Sequence, residues 1–323
     1  MSAASRIDSD VFAFVPSYNH APFVEKCLRS IIDQSQRPKK LLVIDDGSRD
    51  GSPSIIERVL ADCPFECELI VRENRGLSAT LNQAFELADG CRYFAYLGSD
   101  DLWLRDFLRA RTELLDSRPE AVLAYGHAYL IDESDRVVDC TREWSRYLDG
   151  DPLAGLLEGV VPVTSGVVFR RSALDGLRWN EAALLEDYEM YLRLAARGPF
   201  AAADDTLACW RKHSYNTSSE FGRMFDEWIA AQERVAAEIG LSQAELGAAK
   251  GRLSFLAATM FLRDGDKTRA FASLKRGWRS ARSAGEMLDV AARFFVPSAL
   301  LRRLQTRRYE RRSSKYQKIA AGT

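Results

Sequence analysis

A chain of 323 residues has room for one large domain, or one domain and a smaller appendage, with a full core. Its composition, 46% hydrophobic and 28% charged with a net charge of −1, excludes a disordered chain. No apolar run approaches the roughly 18 residues of a membrane-spanning helix, and the opening MSAASRIDSDVF has neither the basic start nor the apolar stretch of a secretory leader.

In chain order, residues 11–15 form an apolar run stopped by Pro16. Residues 22–32 follow, with Phe23, Cys27, Leu28, Ile31 and Ile32 spaced for one buried helix face. A second apolar run at 41–44 ends in Asp45-Asp46-Gly47, and Ser52-Pro53 then reads as an N-cap with proline at the first helical position. Residues 69–71 and 93–97 are further strand-like runs. They alternate with helical patterns marked by Leu77, Leu81, Ala84, Phe85 and Ala88, then by Phe107, Leu108, Leu114 and Leu115. Continuous apolar runs suit strands buried on both faces, and this alternation predicts an open α/β sheet. Farther on, 121–125 reads as a strand, and 128–131 with 137–138 as a hairpin around residues 133–136. Residues 160–169 give another strand, 181–196 a helix and 206–210 a last short strand. From about 220 only helical periodicity remains.

In open α/β sheets ligands bind beyond the carboxyl ends of the strands. Four polar clusters fall there: Pro16-Ser17-Tyr18-Asn19-His20, Asp45-Asp46-Gly47-Ser48, Glu73-Asn74-Arg75-Gly76 and Ser99-Asp100-Asp101. Adjacent carboxylates raise each other's pKa unless a cation or hydrogen-bond donors compensate. An Asp pair at a strand end therefore suits either a Mg²⁺ or Mn²⁺ diphosphate or a simple Asx turn.

Taken together, PSYNH, DDGS, ENRG and GSDD, followed by EDYEMYLRLAARG and WRKHSYNTS, resemble a family 2 glycosyltransferase of the GT-A fold across about residues 11–219. The resemblance implies a nucleotide-sugar-binding α/β fold with a mixed, mostly parallel central sheet over residues 1–220, and an all-helical extension over 221–323. It implies an inverting sugar transfer from a nucleotide diphosphate, UDP- or dTDP-sugar favoured, with Mn²⁺ or Mg²⁺. Pro16, Ser17 and Tyr18 would line the base pocket, Asp46 would bond the base, and Asn74, Arg75 and Gly76 would form the loop beside it. Asp100 would contact the ribose and Asp101 the metal. Gly98 stands where many relatives carry the first aspartate of an Asp-x-Asp motif, leaving fewer carboxylates near that metal. Glu186 and Asp187 match the family's Glu-Asp pair, with Asp187 the base that takes the proton of the attacking hydroxyl and Glu186 on the acceptor side. His213, and after it Arg211, would reach the diphosphate, and Gly166 would sit in the acceptor loop. His20 receives no role, and His127 reads as structural.

Residues 267–318 carry fifteen Lys or Arg against three Asp or Glu. No base-reading module accompanies them, so nucleic acid is not an expected partner. A basic helix beside apolar residues suits an anionic membrane surface; a helical cap on the catalytic half or a homo-oligomer contact is the other use, and Pro297 divides the segment. The expected partners are a nucleotide-sugar donor and a glycan or lipid-linked acceptor, at the cytoplasmic face of a membrane. Two rivals stand beside this reading: a nucleotidyltransferase, which would need a basic glycine-rich loop where Ser17-Tyr18-Asn19 stands, and a decayed nucleotide-binding scaffold. Six scattered cysteines, with only Cys63 and Cys67 close, predict free thiols rather than a metal set.

Overall fold

The computed structural model describes residues 9–147, 149–213 and 221–320. The N-terminal part runs β1 (Val11–Ser17), α1 (Val24–Ile32), β2 (Lys40–Asp45), α2 (Ser52–Ala61), β3 (Glu66–Val71), α3 (Leu77–Glu86) and β4 (Tyr93–Tyr96). It continues through β5 (Leu102–Trp103), α4 (Phe107–Ser117), β6 (Leu123–Ile131), β7 (Val137–Cys140), α5 (Leu153–Leu157), β8 (Val167–Arg170), α6 (Glu186–Ala195) and β9 (Phe200–Arg211). The strands join in one mixed sheet ordered β3-β2-β1-β4-β8-β6-β9-β5, with β7 on β6. The first four are parallel; β8 enters antiparallel to β4.

Alternation along the strands divides the apolar side chains between two cores. Phe12, Phe14, Leu42, Ile44, Phe94 and Tyr96 face one way with Tyr188 and Tyr191 of α6. Val11, Ala13, Val15, Leu41 and Val43 face the other, against α1, α2 and α4. Parallel register sets Ser17 beside Asp45, so the polar segments after β1 and β2 leave the sheet at one level.

Several elements differ from the sequence expectation. Gly51, at φ 90°, caps α2, and Ser52 is already helical. β6 is one strand of nine residues, not a strand and half a hairpin; it continues through Gly126, where the Arg111 guanidinium fills the space a side chain would need. β8 is short, because residues Thr164–Gly166 form a 3₁₀ turn instead of strand. α6 begins at Glu186 rather than 181. β9 runs for twelve residues; Asp204 and Asp205 disguised its first half, and the fully buried Arg111 donates to the Asp205 carboxylate at 2.6 Å.

Among the described residues five α-helices follow: α7 (Phe221–Val235), α8 (Gln243–Asp264), α9 (Lys267–Gly277), α10 (Ala284–Arg293) and α11 (Ser298–Ala320). A capping box between Ser242 and Glu245 starts α8, and Gly265 at φ 92° ends it. Phe225, Phe255 and Phe261 centre a third core. α11 begins directly after Pro297 and returns to the sheet-bearing part of the chain. There Arg312 pairs with Asp139 at 3.2 Å, Ser313 Oγ donates to the Val137 carbonyl at 3.2 Å, and the Tyr316 hydroxyl donates to Glu143 at 2.6 Å. Among the described residues no helix is long and apolar enough to cross a membrane.

Candidate active site

The turn after β1 is pinned to the turn after β2. Asn19 takes a left-handed conformation (φ 53°), which asparagine tolerates. Its N–H donates to Ser48 Oγ at 2.8 Å, and its Oδ1 accepts the Arg49 N–H at 2.9 Å. The His20 N–H donates to Ser52 Oγ at 3.2 Å. Tyr18 is thereby left 50% exposed on the rim.

Asp45 and Asp46 point to different tasks. Asp45 is fully buried and accepts from Ser17 Oγ at 3.1 Å and from the N–H and hydroxyl of Ser48 at 2.8 and 2.7 Å. Asp46 accepts the backbone N–H groups of Arg75 at 3.0 Å and Gly76 at 2.8 Å, and pairs with Arg72 at 2.9 Å. The loop of residues 74–76 therefore hangs from the end of β2. Gly47 is required beside it, at φ +86°, because a Cβ there would stand 2.9 Å from the Asn74 nitrogen.

The chain after β4 meets the end of β9. Asp100 accepts from His213 Nε2 at 2.9 Å, while His20 Nδ1 lies 2.8 Å from Ser99 Oγ and 3.9 Å from Asp100 Oδ1. Burial works to raise the Asp100 pKa, but the His213 hydrogen bond and the His20 charge bring it below the usual value. Asp101 is buried and accepts the Arg211 N–H at 2.8 Å; burial and the adjacent Asp100 push its carboxyl well up.

At the other end, Thr164 Oγ1 donates to Asp187 Oδ2 at 2.8 Å and the Tyr188 N–H to Asp187 Oδ1 at 2.7 Å. Burial raises the Asp187 pKa against both bonds. Burial and the Asp187 charge push Glu186 up to about 8.

These groups surround one cavity of about 970 Å³, running from Tyr18, Asp46 and Asn74 past Asp100 and His213 to Thr164 and Glu186. The volume lies at the top of the range for small-molecule sites. The model of Glycosyl transferase family 2 matches residues 12–178. The chain belongs to this family. A putative teichuronic acid biosynthesis glycosyltransferase, TuaG of Bacillus subtilis, is 32% identical over 37% of this chain and 47% of its own length. An uncharacterized glycosyltransferase of Nostoc sp. is 24% identical over 64% of this chain and 66% of its own length. The chain thus spans less than two thirds of these relatives. Among solved structures, the mannosyltransferase PcManGT of Pyrobaculum calidifontis, in complex with GDP-Man and Mn²⁺, superposes with a TM-score of 0.62 at 18% identity, covering 95% of this chain and 86% of that one. S. aureus TarS 1-349 with UDP-GlcNAc gives 0.56 at 16% identity, covering 86% and 77%. The likeness is one of fold, GT-A.

Within this family 2 framework, Pro16, Ser17, Tyr18, Asp46, Asn74, Gly76, Asp100, Asp101, Glu186 and His213 line the cavity. Asp187 joins it through Thr164. Three anticipated residues stand elsewhere. The Arg75 side chain is exposed, and its backbone N–H holds the loop. Arg211 is fully buried beneath the site, donating to the carbonyls of Asp100 and Asp132 at 2.7 Å each. Gly166 packs on Gly126, where a Cβ would meet the Gly126 carbonyl at 2.9 Å. Residues 214–218 of the last motif lie outside the described residues. His127, 5% exposed, is stacked on Tyr147 and bonded to Thr141.

His20 is the residue sequence reasoning passed over, although it closes the same PSYNH turn. One donor atom from each of His20, Asp100 and His213 lies within 4.8 Å of the others, so the residues present fit a divalent cation. Asp101 stands outside this group. Burial lowers the His20 pKa against the attraction of Asp100, which favours the neutral imidazole that binds metals.

Proposed function

We propose that this chain transfers a sugar, with inversion, from a nucleoside-diphosphate donor to a hydroxyl of a glycan or lipid-linked acceptor in surface-polysaccharide synthesis. The observation that carries the reading is a single cavity with a nucleotide-sized polar cradle at one end and the Glu186-Asp187 pair at the other. Pro16, Ser17 and Tyr18 receive the base, and Asp46 shapes its pocket through the 74–76 loop. Asp100 and His213 face the diphosphate; Mn²⁺ or Mg²⁺ held there supplies charge neutralisation to the leaving group when bound. Asp187 accepts the proton of the acceptor hydroxyl as it attacks from the face opposite the nucleotide. Thr164 fixes the rotamer of that carboxylate, and Glu186 borders the acceptor. Residues 1–220 form the catalytic unit, and the basic helix α11 holds the enzyme at an anionic membrane.

The structural neighbours carry UDP-GlcNAc and GDP-Man in their own sites, so the base is an experimental question. Thermal unfolding with UDP, dTDP, GDP and ADP, each with and without Mn²⁺, answers it. A nucleotide at 100 times its dissociation constant adds about 2.7 kcal/mol, a rise of several degrees at roughly 2–4 °C per kcal/mol. Asp187→Asn is expected to keep that rise while transfer falls about 10²–10⁴-fold. Equal loss of both would make Asp187 structural; no rise with any nucleotide would overturn the donor reading.

A further inference from the structure

Position 98 lacks the carboxylate that would open an Asp-x-Asp motif, and the fold keeps it so. A Cβ at Gly98 would stand 2.8 Å from Asp100 Oδ1, so no side chain fits there unless Asp100 moves. The space in front of Asp100 is occupied from the opposite wall. His20, from the β1–α1 turn, directs Nδ1 to Ser99 Oγ at 2.8 Å, and its ring lies 5.6 Å from that of His213. His213 in turn is stacked on Phe23 at 5.4 Å between centroids. The turn carrying His20 is fixed by the Ser52 and Asp50 bonds to the backbone of His20 and Ala21 at 3.2 and 2.8 Å. Three segments distant in sequence thus bring one oxygen and two nitrogens within 4.8 Å of one another.

We propose that His20 replaces the missing carboxylate as a metal ligand, making a two-imidazole, one-carboxylate site with His213 and Asp100. This rests on the transferase reading above for the ion's purpose, and on the chain's own residues for its ligands. The substitution has two chemical consequences. Imidazole nitrogen suits transition-series ions, whereas Mg²⁺ demands oxygen ligands and gives up its waters reluctantly. The site therefore selects Mn²⁺, Co²⁺ or a similar ion over Mg²⁺. A neutral ligand in place of an anionic one also leaves one more unit of the ion's positive charge for the donor's diphosphate.

The test is electron spin-echo modulation of Mn²⁺ bound to the full chain with UDP or GDP, whichever binds, since directly bound nitrogen-14 modulates the echo. The wild type is expected to show two nitrogens and His20→Ala one. Mn²⁺ affinity in the variant is expected to fall at least about tenfold, and a hundredfold excess of Mg²⁺ should leave the wild-type signal in place. His20→Gln, which keeps a polar group beside Ser99, should behave as His20→Ala does, at an unchanged melting temperature without ligand. One nitrogen in both proteins, or displacement by Mg²⁺ at parity, would overturn the assignment while leaving nucleotide binding and transfer intact. Absence of nucleotide binding would instead count against the transferase reading.

Discussion

Asp45 and Asp46 are neighbours in sequence with different fates, and so are Asp100 and Asp101. In the first pair backbone donors take both carboxylates, Asp45 through the Ser48 N–H and Asp46 through those of Arg75 and Gly76; in the second the Arg211 N–H takes Asp101. In the second pair the other carboxylate meets imidazoles. Spacing alone cannot tell which is which, because the partner donors arrive from segments up to 113 residues away. Glu186 offers a titration test. Its folded pKa of about 8 lies above the usual glutamate value of about 4.3. Between those limits the folded chain holds a proton that the unfolded chain has released, so this group makes stability fall as pH rises. Glu186→Gln is expected to flatten the decline of melting temperature between about pH 5 and 8; parallel curves for both proteins would place the proton elsewhere. Glu189, two positions beyond Asp187, does not line the cavity. It is 1% exposed, paired with Arg193 and Arg234 at 2.8 and 2.7 Å, and ties α6 to α7.

At the scale of elements, the parallel strands were legible because their apolar runs are uninterrupted and end in turn residues. β6 and β9 were not: Gly126 and His127 interrupt the apolar run of β6, and Asp204 and Asp205 break that of β9, where Asp205 is met by Arg111 of α4 across 94 residues. Helix contacts are equally hidden from periodicity. α9 crosses α8 where Gly277 would place a Cβ 2.3 Å from the Gly251 carbonyl and 2.5 Å from the Phe255 nitrogen. Both obstacles are backbone, so neither can swing aside. Gly277→Ala is expected to cost at least about 1–3 kcal/mol by overpacking. Gly247→Ala on α8, with nothing within 4 Å, should gain about 0.5–1 kcal/mol. Thermal unfolding of the two variants checks the contrast, and equal effects would mean that the crossing yields.

Across the whole molecule, the basic tail presents two different faces. Leu301, Arg312, Ser313 and Tyr316 face inward. Leu300 and Leu304 stay 47% and 49% exposed, Phe295 90%, and Arg303, Arg307, Arg308 and Arg311 are exposed with them. Helical spacing puts Leu300, Arg303, Leu304, Arg307 and Arg311 on the side away from the catalytic half. Each arginine near an anionic leaflet is worth about 1 kcal/mol. The chain is expected to sediment with phosphatidylglycerol vesicles, weakly with phosphatidylcholine, and less as salt rises. Reversing Arg303, Arg307 and Arg311 to Glu should abolish the difference; indifference to lipid charge would sink the membrane role.

The inward side of the same helix sets a timetable. β7 pairs with β6 alone among the described strands, and the cover over its other flank, Arg312 on Asp139, lies 173 residues downstream. At about 5–20 residues per second the ribosome needs roughly 10–35 s to deliver it. The sheet itself is complete only once β9 has been made, at Arg211, and for the remainder of that interval it carries an open strand edge, the kind of surface that recruits other chains. The docking of α11 is thus the event that covers this edge.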